Sequence, residues 1–85
     1  MTPVSITWAD AYTAPGWFEV DAIPATGCLQ RSVGFLVAGA VPGCLTLAQT
    51  VDPDGRVGDL LHVPLGMVRE IYALAPTAGL PLEPT

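Results

Sequence analysis

The sequence predicts a mainly β domain: a small, strongly bent antiparallel sheet or barrel of about five short strands. Three observations predict it. Nine glycines and nine prolines punctuate a series of apolar runs, and short strands at regular spacing with turn signals between them mark a small sandwich or barrel. Two runs, 32–38 and 43–50, flank the turn-like cluster Gly39-Ala40-Val41-Pro42. A third run follows Asp52-Pro53-Asp54-Gly55, in which proline presets φ, aspartate caps and glycine takes the left-handed position.

The elements follow in order. The front of the chain opens with a strand over 4–8 or a short helical turn over 9–12, and both readings stand. Pro15-Gly16 breaks the segment, and 17–23 alternates loosely up to Pro24. Pairing 32–38 with 43–50 about the Gly39 cluster sets Val37 opposite Leu45 and Phe35 opposite Leu47. The other face then pairs Leu36 with Thr46, Gly34 with Ala48 and Ser32 with Thr50. One face is large and apolar and the other mostly small or hydroxylic, as a half-buried antiparallel pair requires. Gly34 in mid-strand marks a bend or a close backbone approach. The next strand, 56–63, pairs with 43–50 in a register open by one residue, which decides whether Leu60 or Leu61 faces inward. Pro64-Leu65-Gly66 fits a tight corner with one turn of 3₁₀ helix. A last strand over 68–74 spaces Val68, Tyr72 and Leu74 by twos, and a helical stripe through Val68, Ile71 and Tyr72 competes with it. Residues 1–74 form the single domain, and 75–85 is a proline-rich tail or arm, expected as a frayed end, with docking of Leu80 and Leu82 on a neighbouring subunit as the alternative.

Composition limits function. Half the residues are hydrophobic and 13% are charged, too much apolar surface for a small monomer to hide. Small scaffolds commonly need disulfides, a metal or association, and large exposed apolar patches mark interfaces. A homo-oligomer is therefore expected. The net charge is −5, lysine is absent, and the cations are Arg31, Arg56 and Arg69. Nucleic-acid binding needs rows of cations, so nucleic acid is not an expected partner. A symmetric assembly still gathers arginines for a small anionic ligand. No apolar run reaches the roughly 20 residues of a membrane span, and the first ten residues lack the pattern of a signal peptide. The expected setting is a reducing cytoplasm, with Cys28 and Cys44 as free thiols.

Candidate site residues are few. His62 is the single histidine, in an apolar strand without a nucleophile pattern around it, and a structural role is favoured. Asp52-Pro-Asp54-Gly lacks the spaced ligands of a calcium loop, and no metal or other cofactor is expected. Asp59 interrupts a strand and either pairs with Arg56 or Arg31 or lines a pocket. Trp8, Tyr12, Trp17 and Phe18 crowd the front of the chain, as packing or interface anchors or as a platform for a nucleobase. Ser32 beside Gly34 offers a hydroxyl and bare backbone to a ligand, or marks a bend. The expected ligand-binding set is Trp8, Trp17, Arg31, Ser32, Arg56, Asp59, His62 and Arg69. With one histidine, no lysine and no nucleophile motif, no catalytic residue is assigned and an enzyme is not expected.

Taken as an ordered set, Trp8-x-Asp10, Gly16-Trp17, Ser32-Val33-Gly34-Phe35-Leu36, Leu45-x-Leu47-Ala48 and Val63-Pro64-x-x-x-Val68-Arg69 resembles a group of short bacteriophage and prophage proteins of unassigned role. More distantly, bent hairpins followed by a Val-Pro, turn and strand look like Sm-like or SH3-like small barrels, and Sm-like proteins assemble as rings through their last strands. The basic residues of Sm-like RNA binders are missing here. Small phage proteins of this size are often accessory factors against host defence, and some sequester nucleotide immune signals between subunits. The resemblance thus implies an oligomeric, non-enzymatic binding module in the bacterial host cytoplasm, taking a small nucleotide-like signal in clefts between copies. The alternative is a structural or protein-interaction role, as a phage assembly part or an inhibitor of a host protein.

Overall fold

The computed structural model describes residues 1–11, 14–23 and 27–75. Tyr12 and the tail from residue 76, with Leu80 and Leu82, lie outside them. Five strands form one antiparallel sheet: β1 (Pro3–Asp10), β2 (Cys28–Leu36), β3 (Cys44–Val51), β4 (Val57–Pro64) and β5 (Val68–Ala73). The order is β4-β3-β2-β1-β5. The sheet is open: β4 and β5 are its edges, and among the described residues no ladder joins them. Of the sheet or barrel expected, the structure is the sheet.

The front segment resolves as a strand. Val4, Ile6 and Trp8 alternate with Ser5 and Thr7, a period of two that sends the apolar set to one face. Val4 and Ile6 join Leu45, Leu47 and Val63 in the core, with Trp8, Leu36, Leu61 and Val68 packed against it. Side chains from strands two and three places apart therefore meet, so the sheet bends over its inner face.

Gly34 marks the bend. A Cβ there would stand 2.9 Å from the Ala48 carbonyl oxygen and 3.1 Å from Leu47 Cβ, distances that only a bare backbone tolerates. The β2–β3 ladder is confined to Phe35↔Ala48 and Leu36↔Leu47. Past it, the Gln49 amide Nε2 donates to the Val33 carbonyl at 3.0 Å. From Cys28 to Phe35, β2 pairs with β1.

This register corrects the sequence reading by one residue. Phe35 faces Ala48, not Leu47, and Leu36 faces Leu47, not Thr46. The connection between β2 and β3 bends at two left-handed glycines, Gly39 (φ 68°) and Gly43 (φ 78°). It is longer than the tight turn assumed and does not impose that turn's register. Leu36, Leu45 and Leu47 consequently share the inner side, while Phe35 and Ala48 lie on the other.

In the second hairpin Leu47 pairs with Leu61 and Ala48 with Leu60. Leu61 packs on the core and Leu60 is exposed. The turn forms as expected. Gly55 takes φ 84° and its amide donates to the Asp52 carbonyl at 3.0 Å. The Asp52 carboxylate accepts from the amides of Asp54 and Arg56, at 3.0 and 2.8 Å.

The corner after β4 is a single 3₁₀ turn, Leu65–Met67, followed by the strand rather than the helix. One detail of β5 differs. Trp8 pairs with Val68, yet Thr7 pairs with Glu70, so Arg69 is the extra residue of a bulge. A bulge shifts side-chain parity by one. Val68 therefore sides with the inner face and Tyr72, opposite Ser5, with the outer, despite their even spacing. The stretch 17–23 carries no strand: it holds one 3₁₀ turn, Val20–Ala22.

Candidate functional site

The predicted site residues fall into three places. The first is the corner where β1, β2 and β5 meet. Here the Trp8 indole Nε1 donates to the Ser32 hydroxyl at 3.0 Å. Both are partly buried, and Ser32 sits opposite Ile6 in the ladder. Indole N–H groups near a core find a partner, and the small Ser32 side chain makes room for the ring. Arg69 stands in the bulge beside this pair, and its Nη1 donates to the Gly66 carbonyl at 2.8 Å. The corner thus pairs an indole with a hydroxyl, while the Arg69 guanidinium is held at the Gly66 carbonyl.

The second place is the β3–β4 hairpin end. A shallow depression of ≈ 300 Å³ is lined by Thr50, Asp52, Arg56, Val57 and Gly58. Arg56 Nε donates to Asp52 Oδ2 at 2.6 Å, forming an ion pair. The Arg56 backbone amide, then its guanidinium, lower the Asp52 pKa below the ordinary carboxylate value. This pair corrects one expectation: Arg56 engages Asp52 rather than Asp59. Asp59 lies next to the depression, exposed, with φ 55°. The ladder has no pair at this position, skipping from Ala48↔Leu60 to Thr50↔Gly58. Aspartate tolerates the left-handed region better than most side chains, though such a residue still stores about 1–3 kcal/mol of strain.

The third place is the outer face. His62 faces Thr46 across β3 and β4, and its Nδ1 is hydrogen-bonded to the Thr46 hydroxyl at 2.8 Å. The hydroxyl donates when that nitrogen is unprotonated. Thr46 is the buried polar residue among the described residues, so His62 completes its bonding while remaining exposed. Arg31 lies on β2 opposite Thr7, on this same outer side.

Trp17 belongs to none of these. It is 102% exposed, and Trp8 packs on the core, so the aromatic residues of the front segment do not form one cluster. Cys28 and Cys44 are free thiols, and Gln30 Nε2 donates to the Cys28 sulfur at 3.1 Å. Among the described residues no group of three or more histidine, cysteine or acidic side chains is arranged to hold a metal ion, and no helix is long and apolar enough to cross a membrane.

Sequence reasoning missed Leu29, Val33 and Tyr72, large apolar side chains left exposed on the outer face. The available signal was the alternation Leu29, Arg31, Val33, which reads as a surface strand once Gln30 and Ser32 are assigned to the opposite face. No family model matches this chain, and no curated protein or solved structure compared with it does either.

Proposed function

We propose that this chain is a non-enzymatic binding module that works as a homo-oligomer, with its ligand site completed between copies. The observation that carries the reading is the pair of open edges, β4 and β5, on a sheet with many large apolar side chains in solvent. An unpaired edge is a template for another strand. Two different edges on one sheet favour head-to-tail pairing, β4 of one copy against β5 of the next, and such contacts close into rings when the rotation allows. The strand order and the 3₁₀ turn before β5 support reading the bent sheet as a small Sm-like or SH3-like barrel. The chain's resemblance to short phage proteins is part of the same proposal.

Within one copy the candidate residues are divided. Trp8, Ser32 and Arg69 lie toward the β5 edge; Arg56, Asp59 and His62 lie on β4 or its turn. Head-to-tail pairing sets β4 and its turn, which carry Arg56 and Asp59, beside the β5 edge of the next copy, while His62 stays on the outer face. The cleft of that pairing combines an indole for stacking with guanidinium groups for charge, which suits a small anionic, nucleotide-like ligand in a bacterial host cytoplasm. A second reading, inhibition of a host protein or a place in a phage assembly, is favoured by Trp17, since exposed tryptophans anchor protein interfaces.

Native mass spectrometry of the purified protein tests both. The proposal expects multiples of the 8.8 kDa chain that release a small anionic molecule on denaturation. Release of a host polypeptide supports the second reading, and an empty 8.8 kDa monomer contradicts the proposal.

A further inference from the structure

The outer face of β1 and β2 has a defined relief. Its β2 side presents Leu29, Arg31, Val33 and Phe35, and the residues opposite them on β1 are the small or flat Ala9, Thr7, Ser5 and Pro3. Beyond β1, Glu70 and Tyr72 of β5 stand opposite Thr7 and Ser5. The result is a low strip between taller side chains, about 20 Å long for the seven residues 29–35 and about 10 Å between its flanking strands. Leu29, Val33 and Tyr72 are 64%, 51% and 59% exposed. Arg31 is the cation of the strip, at mid-length on its β2 side, and Glu70 is the acid on its β5 side, across Thr7.

The connection between β1 and β2 has the complementary character. Trp17, Phe18, Val20 and Ile23 are all exposed large hydrophobics, and the charges of 17–23 are Glu19 and Asp21. The segment does not lie on its own strip, since both surfaces stand in solvent within one copy.

We propose that segment 17–23 of one copy docks along the outer strip of β1 and β2 of a second copy. Trp17 and its apolar neighbours cover Leu29, Val33 and Tyr72, while an acid of the segment pairs with Arg31. The pairing leaves the β4 and β5 edges available. It rests on the self-association proposed above and names a second contact of that assembly, one that buries apolar surface the edges leave bare.

The test uses the full chain with a photo-crosslinking benzoylphenylalanine in place of Trp17, mixed with isotopically heavy copies. The inference expects light-to-heavy crosslinks that map to residues 29–35 or 70–73. Sedimentation of the same sample separates the two proposals. An assembled sample whose crosslinks map elsewhere, lie within one copy or are absent overturns the docking and leaves edge pairing intact; a monomer overturns both. Crosslinking in expressing cells to a different polypeptide alone also overturns it. A charge exchange gives a second reading. Arg31→Glu is expected to weaken association roughly tenfold through like-charge juxtaposition, and Glu19→Arg with Asp21→Arg in the same chain to recover it. Circular dichroism confirms that each variant folds, and an Arg31→Glu chain that assembles as tightly as the parent contradicts the pairing.

Discussion

The β3–β4 hairpin and the connection between β1 and β2 are both rich in large apolar side chains, yet they end in opposite conditions. In the hairpin, Leu45, Leu47 and Val63 are buried, and the turn bonds its own amides through Asp52. In the connection, Trp17, Phe18, Val20 and Ile23 are exposed around one 3₁₀ turn. Hydrophobicity alone does not bury a segment. A period of two and a turn that fixes register do so, because they present the apolar set to one side. Where neither is present, the apolar residues remain available to another molecule. The hairpin builds the fold, and the connection is the part we propose to meet a partner.

The largest effects should come from the hairpin's inner face. Leu47→Ala removes a fully buried side chain and is expected to cost about 2–5 kcal/mol in urea denaturation. Trp17→Ala, a larger truncation, should change the folding stability of the dissociated chain by no more than about 0.5 kcal/mol, while weakening association. Equal losses of folding stability would erase the contrast.

Gly34→Ala sharpens it next. The added methyl meets the Ala48 carbonyl at 2.9 Å and forces β2 and β3 apart, at an expected cost of about 1–3 kcal/mol. Gly16→Ala, in the connection, meets nothing within 4 Å, so its cost is confined to the positive φ of 102°.

The smallest effect is at the hairpin turn and depends on pH. Hydrogen bonds from Arg56 lower the pKa of Asp52 in the folded state. The stability this contributes is fully present above the unfolded value of about 3.9. It is lost as pH falls through the lower folded value, because the unfolded chain then binds more protons. Asp52→Asn should therefore be less stable than the parent at neutral pH, and the difference should narrow in acid. A gap of constant size from neutral pH to strong acid would assign the turn's stability to the backbone alone.

The parts of the fold legible in the sequence were those with local causes. Asp52-Pro53-Asp54-Gly55 dictates its own turn, and Gly34 announces a close approach that the structure places at Ala48. The register at Phe35 and Leu36 was not legible, since it follows from the path of a connection with two left-handed glycines. The first half of β2 was hidden because it inverts the usual order, with Leu29 and Val33 on the outer face and Gln30 and Ser32 on the inner, where Gln30 is still exposed. The bulge at Arg69 is set by pairing with β1, and no residue type there signals it. Of the candidate site, the Trp8–Ser32 contact joins residues far apart in the chain. Sequence supplied the two residues as candidates, and only the β1–β2 ladder brings them together.

Sedimentation equilibrium of the purified chain at micromolar concentration tests the central claim most directly. The proposal built on the open β4 and β5 edges predicts a discrete assembly, of mass several times 8.8 kDa. A folded, stable species of 8.8 kDa at that concentration would contradict it.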